Sequence, residues 1–504
     1  TTSALGFKSE GTNFTGSLLI GHSTTGTISS AEENTGVGIG ALDALTTGDS
    51  NVAVGYNAGT SINSGSSNVV VGFAAGDALS SGSQNVAIGR NSLTTEDTGS
   101  RNTAIGRGTL QNLNFNGNGY NVAIGYNTGL NVTTGVQNTL IGAAAGDAIT
   151  TGEFNVAMGY GALGSATDTD QSVAIGYGAL AALNYSGDSN NTAVGHNAGG
   201  ALVGGIKNTL LGAFAGDALV GGHKNVAVGY NALSTEDGDG RNVAVGHEAL
   251  KNQDAGADAY NVAVGYDAGL SVTTGIENTI IGGLAGDALT TGVKNVAIGY
   301  LALSSEDEHG YNVAVGNRAL RDLDAGSDAY NVAVGASAGA TISVGRYNNL
   351  IGGFAGDAIT TGWSNIAIGY LALSAEDSGS DAVAIGRSAL QNQNYDGSSY
   401  NVAIGRDAGK EVTTGFQNTL IGGNAGDALT TGEKNVALGY SALGTEDTGS
   451  RNIAIGNAAL FSLNYDGTGY NVAIGHTAGY AVTTGVDNVL IGGLAGDAIT
   501  TGNY

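Results

Sequence analysis

The chain has 504 residues, 89 of them glycine, with no proline, no cysteine and a formal net charge of −26 from 43 acidic and 17 basic residues. That charge excludes the basic patches that nucleic acid and anionic membrane surfaces need, and the missing cysteines exclude disulfide staples and thiolate metal sites. No apolar run reaches membrane-spanning length and no signal peptide is visible, so membrane insertion is not expected.

Residues 1–50 are the least regular. Ser3–Phe7 (SALGF) and Ser17–Gly21 (SLLIG) read as worn copies of a later motif, Ser29–Asn34 (SSAEEN) reads as a polar insertion, and irregular coils are expected at Gly6, Gly21 and Gly40. From Asn51 onward one pentapeptide organises everything: Asn-Val-Ala-Ile-Gly and its variants, as at Asn121–Gly125, Asn295–Gly299, Asn401–Gly405 and Asn471–Gly475. Its closing glycines fall at Gly55, Gly72, Gly89, Gly106 and Gly125, with spacings of 17, 17, 17 and 19 that then recur. The larger period is 70 residues, giving units 51–120, 121–190, 191–260, 261–330, 331–400, 401–470 and a partial unit 471–504. The only methionine is Met158, which suggests a processed product or a fragment.

A short fixed period marks a solenoid or another repeat array. Seventeen to nineteen residues are too few for a helical hairpin and fit one β-coil of two short strands and two turns. Val122, Ala123 and Ile124 favour a strand between the corner residues Asn121 and Gly125. Leu130–Gly135 (LNVTTG) reads as the second strand. No 3.6-residue apolar period persists. Glycine serves the corners, and the absence of proline suits a backbone whose N–H groups bond to the next coil. The expected fold is therefore all-β, a parallel β-solenoid or β-roll. About 29 coils at a spacing of about 4.8 Å would make a rod of roughly 140 Å.

Alternation along the strand assigns Val262 and Val264 to one face and Ala263 to the other. With the valines inside, the outer column is apolar in every coil: Ala53, Ala123, Leu140, Leu210, Ala263, Ile280, Leu350, Leu420 and Leu490. A strand apolar on both faces is buried on both faces. The expectation is that this column packs against other copies of the same chain, with open solenoid ends that could also stack end to end. The asparagine four residues before each glycine, replaced at Ser172 and Ala382, is expected to form amide ladders between coils.

The recurring Asn-Val-Ala-Ile-Gly motif with glycine-rich connections resembles the head repeats of YadA-like trimeric adhesins, and related repeats of bacteriophage tail-fibre proteins. The resemblance covers Asn51 to Tyr504. It implies a left-handed parallel β-roll of three chains about one axis, in an extracellular fibre or adhesin that touches a cell surface. The coils here are longer than that family's usual head repeat, and no coiled-coil stalk, membrane anchor or C-terminal chaperone is recognisable.

Chemistry is sparse. The six histidines, His22, His196, His223, His247, His309 and His476, hold no constant place in the coil, and a metal cluster needs several to converge. Gly159–Gly164 formally matches a dinucleotide fingerprint but lacks the strand–helix context. No catalytic constellation emerges, so enzyme activity is not expected, and no cofactor is required. The acidic turns offer one ion site: Asp237 should stack over Asp254 and Asp307 over Asp324, a repulsion that Ca²⁺ would relieve. A solvated turn is the simpler reading of the same residues, which belong to Glu-Asp pairs at Glu96, Glu236, Glu306, Glu376 and Glu446. Tyr260 and Tyr330, with Tyr185, Tyr395 and Tyr465 in the enlarged loops, could stack on glycans or could cover the bulge. The expected function is a non-enzymatic extracellular fibre shaft for attachment, on a virion tail or a bacterial surface. It would be homotrimeric, with a receptor or glycan as its partner. A head-to-tail filament subunit is the alternative, and an ice-binding array built on Thr133–Gly135, Thr150–Gly152, Thr273–Gly275 and Thr290–Gly292 is a weaker one.

Overall fold

A computed structural model describes residues 7–9, 13–21, 28–238 and 240–503. The chain is an all-β parallel solenoid of about 27 turns, and no helix occurs among the described residues. It divides into two compact units, Thr1–Glu248 with Gly256–Asp258, and Ala249–Ala255 with Ala259–Tyr504. In the first unit the coil strands run from Leu18–Ile20 to Val243–Val245, and in the second from Val262–Val264 to Val489–Ile491.

Each coil contributes one three-residue strand that pairs in parallel with the next. Val122 sits over Thr139 in the 17-residue register of the first unit, and Val173 over Thr192 where the coil has 19 residues. In the second unit the same two registers bring Val262 to Thr279 and Val313 to Val332. The expected second strand does not form: Leu130–Gly135 is turn and bend. Its amides still bond to the next coil, but Thr133, Thr134 and Gly135 all donate to the Thr150 carbonyl, at 2.9, 3.2 and 3.3 Å. Three amides sharing one carbonyl make a turn, where a ladder would give each its own acceptor.

Near the start, Leu18–Ile20 is a true coil strand, paired in parallel with Thr35–Val37. Phe7–Ser9 instead pairs with it antiparallel, so it is not a worn coil, and Ser3–Gly6 lie outside the described residues. The third closing glycine is Gly38 rather than Gly40, with φ 138°. Ser29–Asn34 is no insertion, because Ala31 and Asn34 are fully buried and Asn34 Oδ1 accepts the Asn51 amide at 3.0 Å.

The faces of the strand are the reverse of the expected ones. Ala53, Ala123, Leu140, Leu210, Ala263, Ile280, Leu350 and Leu420 have no exposed surface and form the chain's own core; Leu490 is half-buried in the last described coil. They are therefore not an oligomer face. The interior beside the strand is filled jointly by neighbouring coils: where the centre is Ala123 the residue four after the closing glycine is Gly129, whose added Cβ would meet Leu140 and Leu110 at 2.8 and 3.0 Å. Where the strand centre is large, as at Leu140, the residue four after the closing glycine is Gly146, whose added Cβ would lie 2.9 Å from the Leu140 side chain. Where the centre is Ala157, that position is Leu163, itself fully buried. Each buried leucine contributes about 1.5–3 kcal/mol, and close packing leaves no slack for an extra methyl.

The amide ladder forms as expected. The Asn138 N–H and Nδ2 both donate to Asn121 Oδ1, at 3.0 and 3.3 Å, and Nδ2 also donates to the Gly152 carbonyl at 2.9 Å. Asn138 Oδ1 then accepts the Asn155 amide at 3.0 Å. At Ala382 the ladder has no acceptor, and the next amide, of Asn401, turns to Ser399 Oγ at 3.4 Å. Asn138→Ala leaves the Asn155 N–H and Gly152 carbonyl buried without this partner. We expect a loss of about 2–4 kcal/mol in local opening free energy, read by hydrogen exchange at the Asn155 amide. Unchanged protection there would show the ladder to be incidental.

Candidate functional site

Each strand turns its other two residues outward. They are nearly all Val, Ile, Leu or Thr, and they are half-exposed to exposed in both units: Val54, Ile124 and Leu211 in the first, Ile351, Ile404 and Leu438 in the second. Parallel pairing stacks them in file, Val122 over Thr139 and Ile124 over Ile141, so each unit presents a β-branched apolar face. The residue after the closing glycine adds rings beside it. Tyr160, Tyr177 and His196 stack at 5.4 and 5.2 Å, and Tyr56 stacks on Phe73 at 5.3 Å.

The glutamates of the acidic turns were not legible as what they are. Glu96, Glu306, Glu376 and Glu446 are fully buried. Each stands seven residues after its closing glycine, a position that holds Ile62, Leu79, Val132 or Ile149 in other coils. The phase alone could have revealed this. Glu376 Oε1 accepts the Gly379 amide at 2.7 Å, and Oε2 accepts the Tyr395 amide at 3.3 Å and Gln393 Nε2 at 3.0 Å. Glu446 repeats the pattern with Gly449 and Tyr465 at 2.6 and 3.3 Å, and Glu96 with Gly99 and Phe115 at 2.7 and 3.2 Å. The enlarged coil has loop amides that the plain ladder cannot reach, and the carboxylate supplies their acceptors. Ala166 takes the glutamate's place once, and there Thr169–Asp170 pairs directly with Gly187–Asp188.

Burial pushes the carboxyls of Glu96, Glu306, Glu376 and Glu446 above the ordinary glutamate value, against the smaller opposing effect of their hydrogen bonds. Burial raises Asp77, Asp147, Asp217, Asp287 and Asp357 in the same way. A folded value above the unfolded one means stability that is fully present when both states are protonated and is lost as pH rises through the folded value. The melting temperature is therefore expected to be higher near about pH 4.5 than at about pH 8. Glu446→Gln should flatten that slope. A melting temperature that falls on mild acidification would contradict it.

Of the ion candidates, Asp237 and Asp254 do come together, with Glu236, their carboxylate oxygens within 4.8 Å of one another. Asp307 meets Glu306 and His309, and Asp324 is not in that group. The Asp324 amide instead donates to the Ser343 carbonyl at 2.7 Å. Glu306 already serves the turn: the His309 amide donates to its carboxylate at 3.1 Å.

The tyrosines separate into two sets. Tyr260 and Tyr330 are about half exposed at the corner before the ladder asparagine, like Tyr120, Tyr400 and Tyr470. Tyr330 stacks between Tyr311 and Tyr347 at 5.0 and 6.0 Å. Tyr185, Tyr395 and Tyr465 are half-buried in the enlarged loops, and Tyr395 stacks on Phe416 at 5.4 Å. The first threonine of each Thr-Thr-Gly spends its hydroxyl on the next coil, Thr133 on the Thr150 carbonyl and Thr273 on that of Thr290, both at 3.2 Å. No helix among the described residues is long and apolar enough to cross a membrane. Comparison with protein-family models gives no match, and neither does comparison with curated proteins.

Proposed function

We propose that this chain is a non-enzymatic structural shaft of an extracellular attachment fibre, assembled as a homotrimer from 70-residue units of four coils. The observation that carries the reading is the outward file of Val and Ile on consecutive strands, with Ile351 41 % exposed and Leu438 42 % exposed. Monomeric soluble proteins rarely leave so continuous an apolar patch in water. A second copy laid along it would remove β-branched side chains from water without opening the core. The interface is thus assigned to the two outward residues of each strand, in place of the central one expected from the sequence. Buried glutamates and amide ladders support a scaffold reading, since they spend the polar groups on holding turns. The resemblance to adhesin-head and tail-fibre motifs points the same way.

The test is location. Gold-labelled antibody against the chain should decorate projecting fibres on the virions or cells that make it. Label confined to the cell interior would overturn the extracellular assignment.

A further inference from the structure

One corner of the second unit departs from the pattern of its neighbours. The position six residues before the closing glycine usually carries a small, aliphatic or acidic residue, as at Ile276, Val293, Ala329 and Ser380. In two consecutive coils it carries Arg346 and then Trp363, the chain's one tryptophan. Beside them stands Tyr347, the last ring of the Tyr311–Tyr330–Tyr347 stack. Val344, Arg346, Tyr347, Thr361 and Trp363 line a half-open cleft of about 330 Å³. Tyr347 and Trp363 are each about half exposed.

The corner is rigid. The Trp363 amide donates to Ser380 Oγ at 3.1 Å, and its carbonyl accepts the Asp381 amide at 3.2 Å. The Tyr347 amide donates to Ala329 at 2.8 Å. The rings are thus held by a fixed backbone, which lowers the ordering cost of binding. Arg346 is the charged group of the cleft. The chain carries far more acid than base, and the Arg107, Arg387 and Arg451 guanidinia all engage a ring or a carboxylate. Among the described residues the Arg346 guanidinium, like that of Arg318, has no ion-pair, hydrogen-bond or ring partner, while the Arg346 carbonyl accepts the Ser364 amide at 3.0 Å. A free planar fork beside two exposed rings matches a ligand with a carboxylate on a body that has an apolar C–H face and hydroxyls. The Thr361 hydroxyl adds a polar contact at the rim.

We infer that this cleft binds an acidic saccharide. The pyranose lies against Trp363 and Tyr347, and its carboxylate is taken by Arg346. The site stands on one chain and does not depend on the assembly proposed above. The lone tryptophan makes it directly readable, because intrinsic indole fluorescence reports the cleft alone. Methyl glucuronide titrated into the full chain should change that fluorescence saturably at millimolar concentration, and methyl glucoside should not. Arg346→Gln should weaken the response about tenfold or more, the loss expected for a hydrogen bond to a charged group. Trp363→Phe, followed by saturation-transfer NMR, should keep binding, whereas Trp363→Ala should lose it. An equal response to the neutral glycoside, no response to either, or a response unchanged in Arg346→Gln would overturn the inference. So would indole emission already shielded from soluble quencher, which would place a second copy in the cleft.

Discussion

Gly405→Ala is expected to break the solenoid locally, at a cost above about 4 kcal/mol. Gly405 closes its strand at φ 141°, a conformation that side chains avoid. A Cβ there would lie 2.4 Å from the Gly422 carbonyl oxygen and 2.6 Å from its carbon. Neither backbone can retreat. The Gly405 amide donates to Ile385 at 2.7 Å and the Gly422 amide to Ile404 at 2.8 Å, so moving one coil unzips the next. Gly353→Ala is the matched control: it follows a closing glycine, and its added Cβ meets the Tyr370 ring at 3.6 Å and the Ala336 carbonyl oxygen at 4.0 Å, both ordinary contact distances. That change should stay within about 0.5 kcal/mol. Circular dichroism melts and limited proteolysis compare the two. Equal stabilities would mean that the tight coil-to-coil contact is not what the closing glycine serves.

Ile404→Lys should leave the coil intact and dismantle the assembly. Ile404 is 37 % exposed, so the lysine ammonium reaches water in a single chain and the fold loses little. In a trimer closed along that face, the same substitution buries an unpaired charge in every copy, at about 3–5 kcal/mol each. The expected result is an unchanged β-sheet spectrum with a fall to single-chain mass. Ile404→Thr should retain the assembly, because Thr279 and Thr419 already lie on the outward face. A lysine variant that keeps the parent mass would place the interface elsewhere.

Much of the architecture could be read from the period of the closing glycines. The registers of 17 and 19 residues are the spacings between them, and the asparagine column is the ladder the structure contains. The sidedness of the strand could not be read from polarity, since both columns are apolar. Size does decide it. Leu140 with Gly146, and Ala157 with Leu163, trade volume within a coil, and the room beside Ala123 and Gly129 is taken by Leu110 and Leu140 of the adjacent coils, which only side chains that share an interior need to do. Val and Ile at the outward positions show no such trade. The glutamates were missed for the opposite reason. A charged residue in a polar turn reads as solvated until its phase is compared with Leu79 or Ile149, which occupy the same place in other coils. The Arg346–Trp363 cleft was invisible because its members come from two coils and two positions, which only the coil geometry brings to one corner.

The most direct test of the account is the mass of the intact chain in solution, by light scattering at micromolar concentration and physiological salt. Three times the chain mass is the predicted value, steady on dilution. A single-chain mass under those conditions would leave the Val and Ile face in contact with water and contradict the proposal that it exists to be covered by copies of itself.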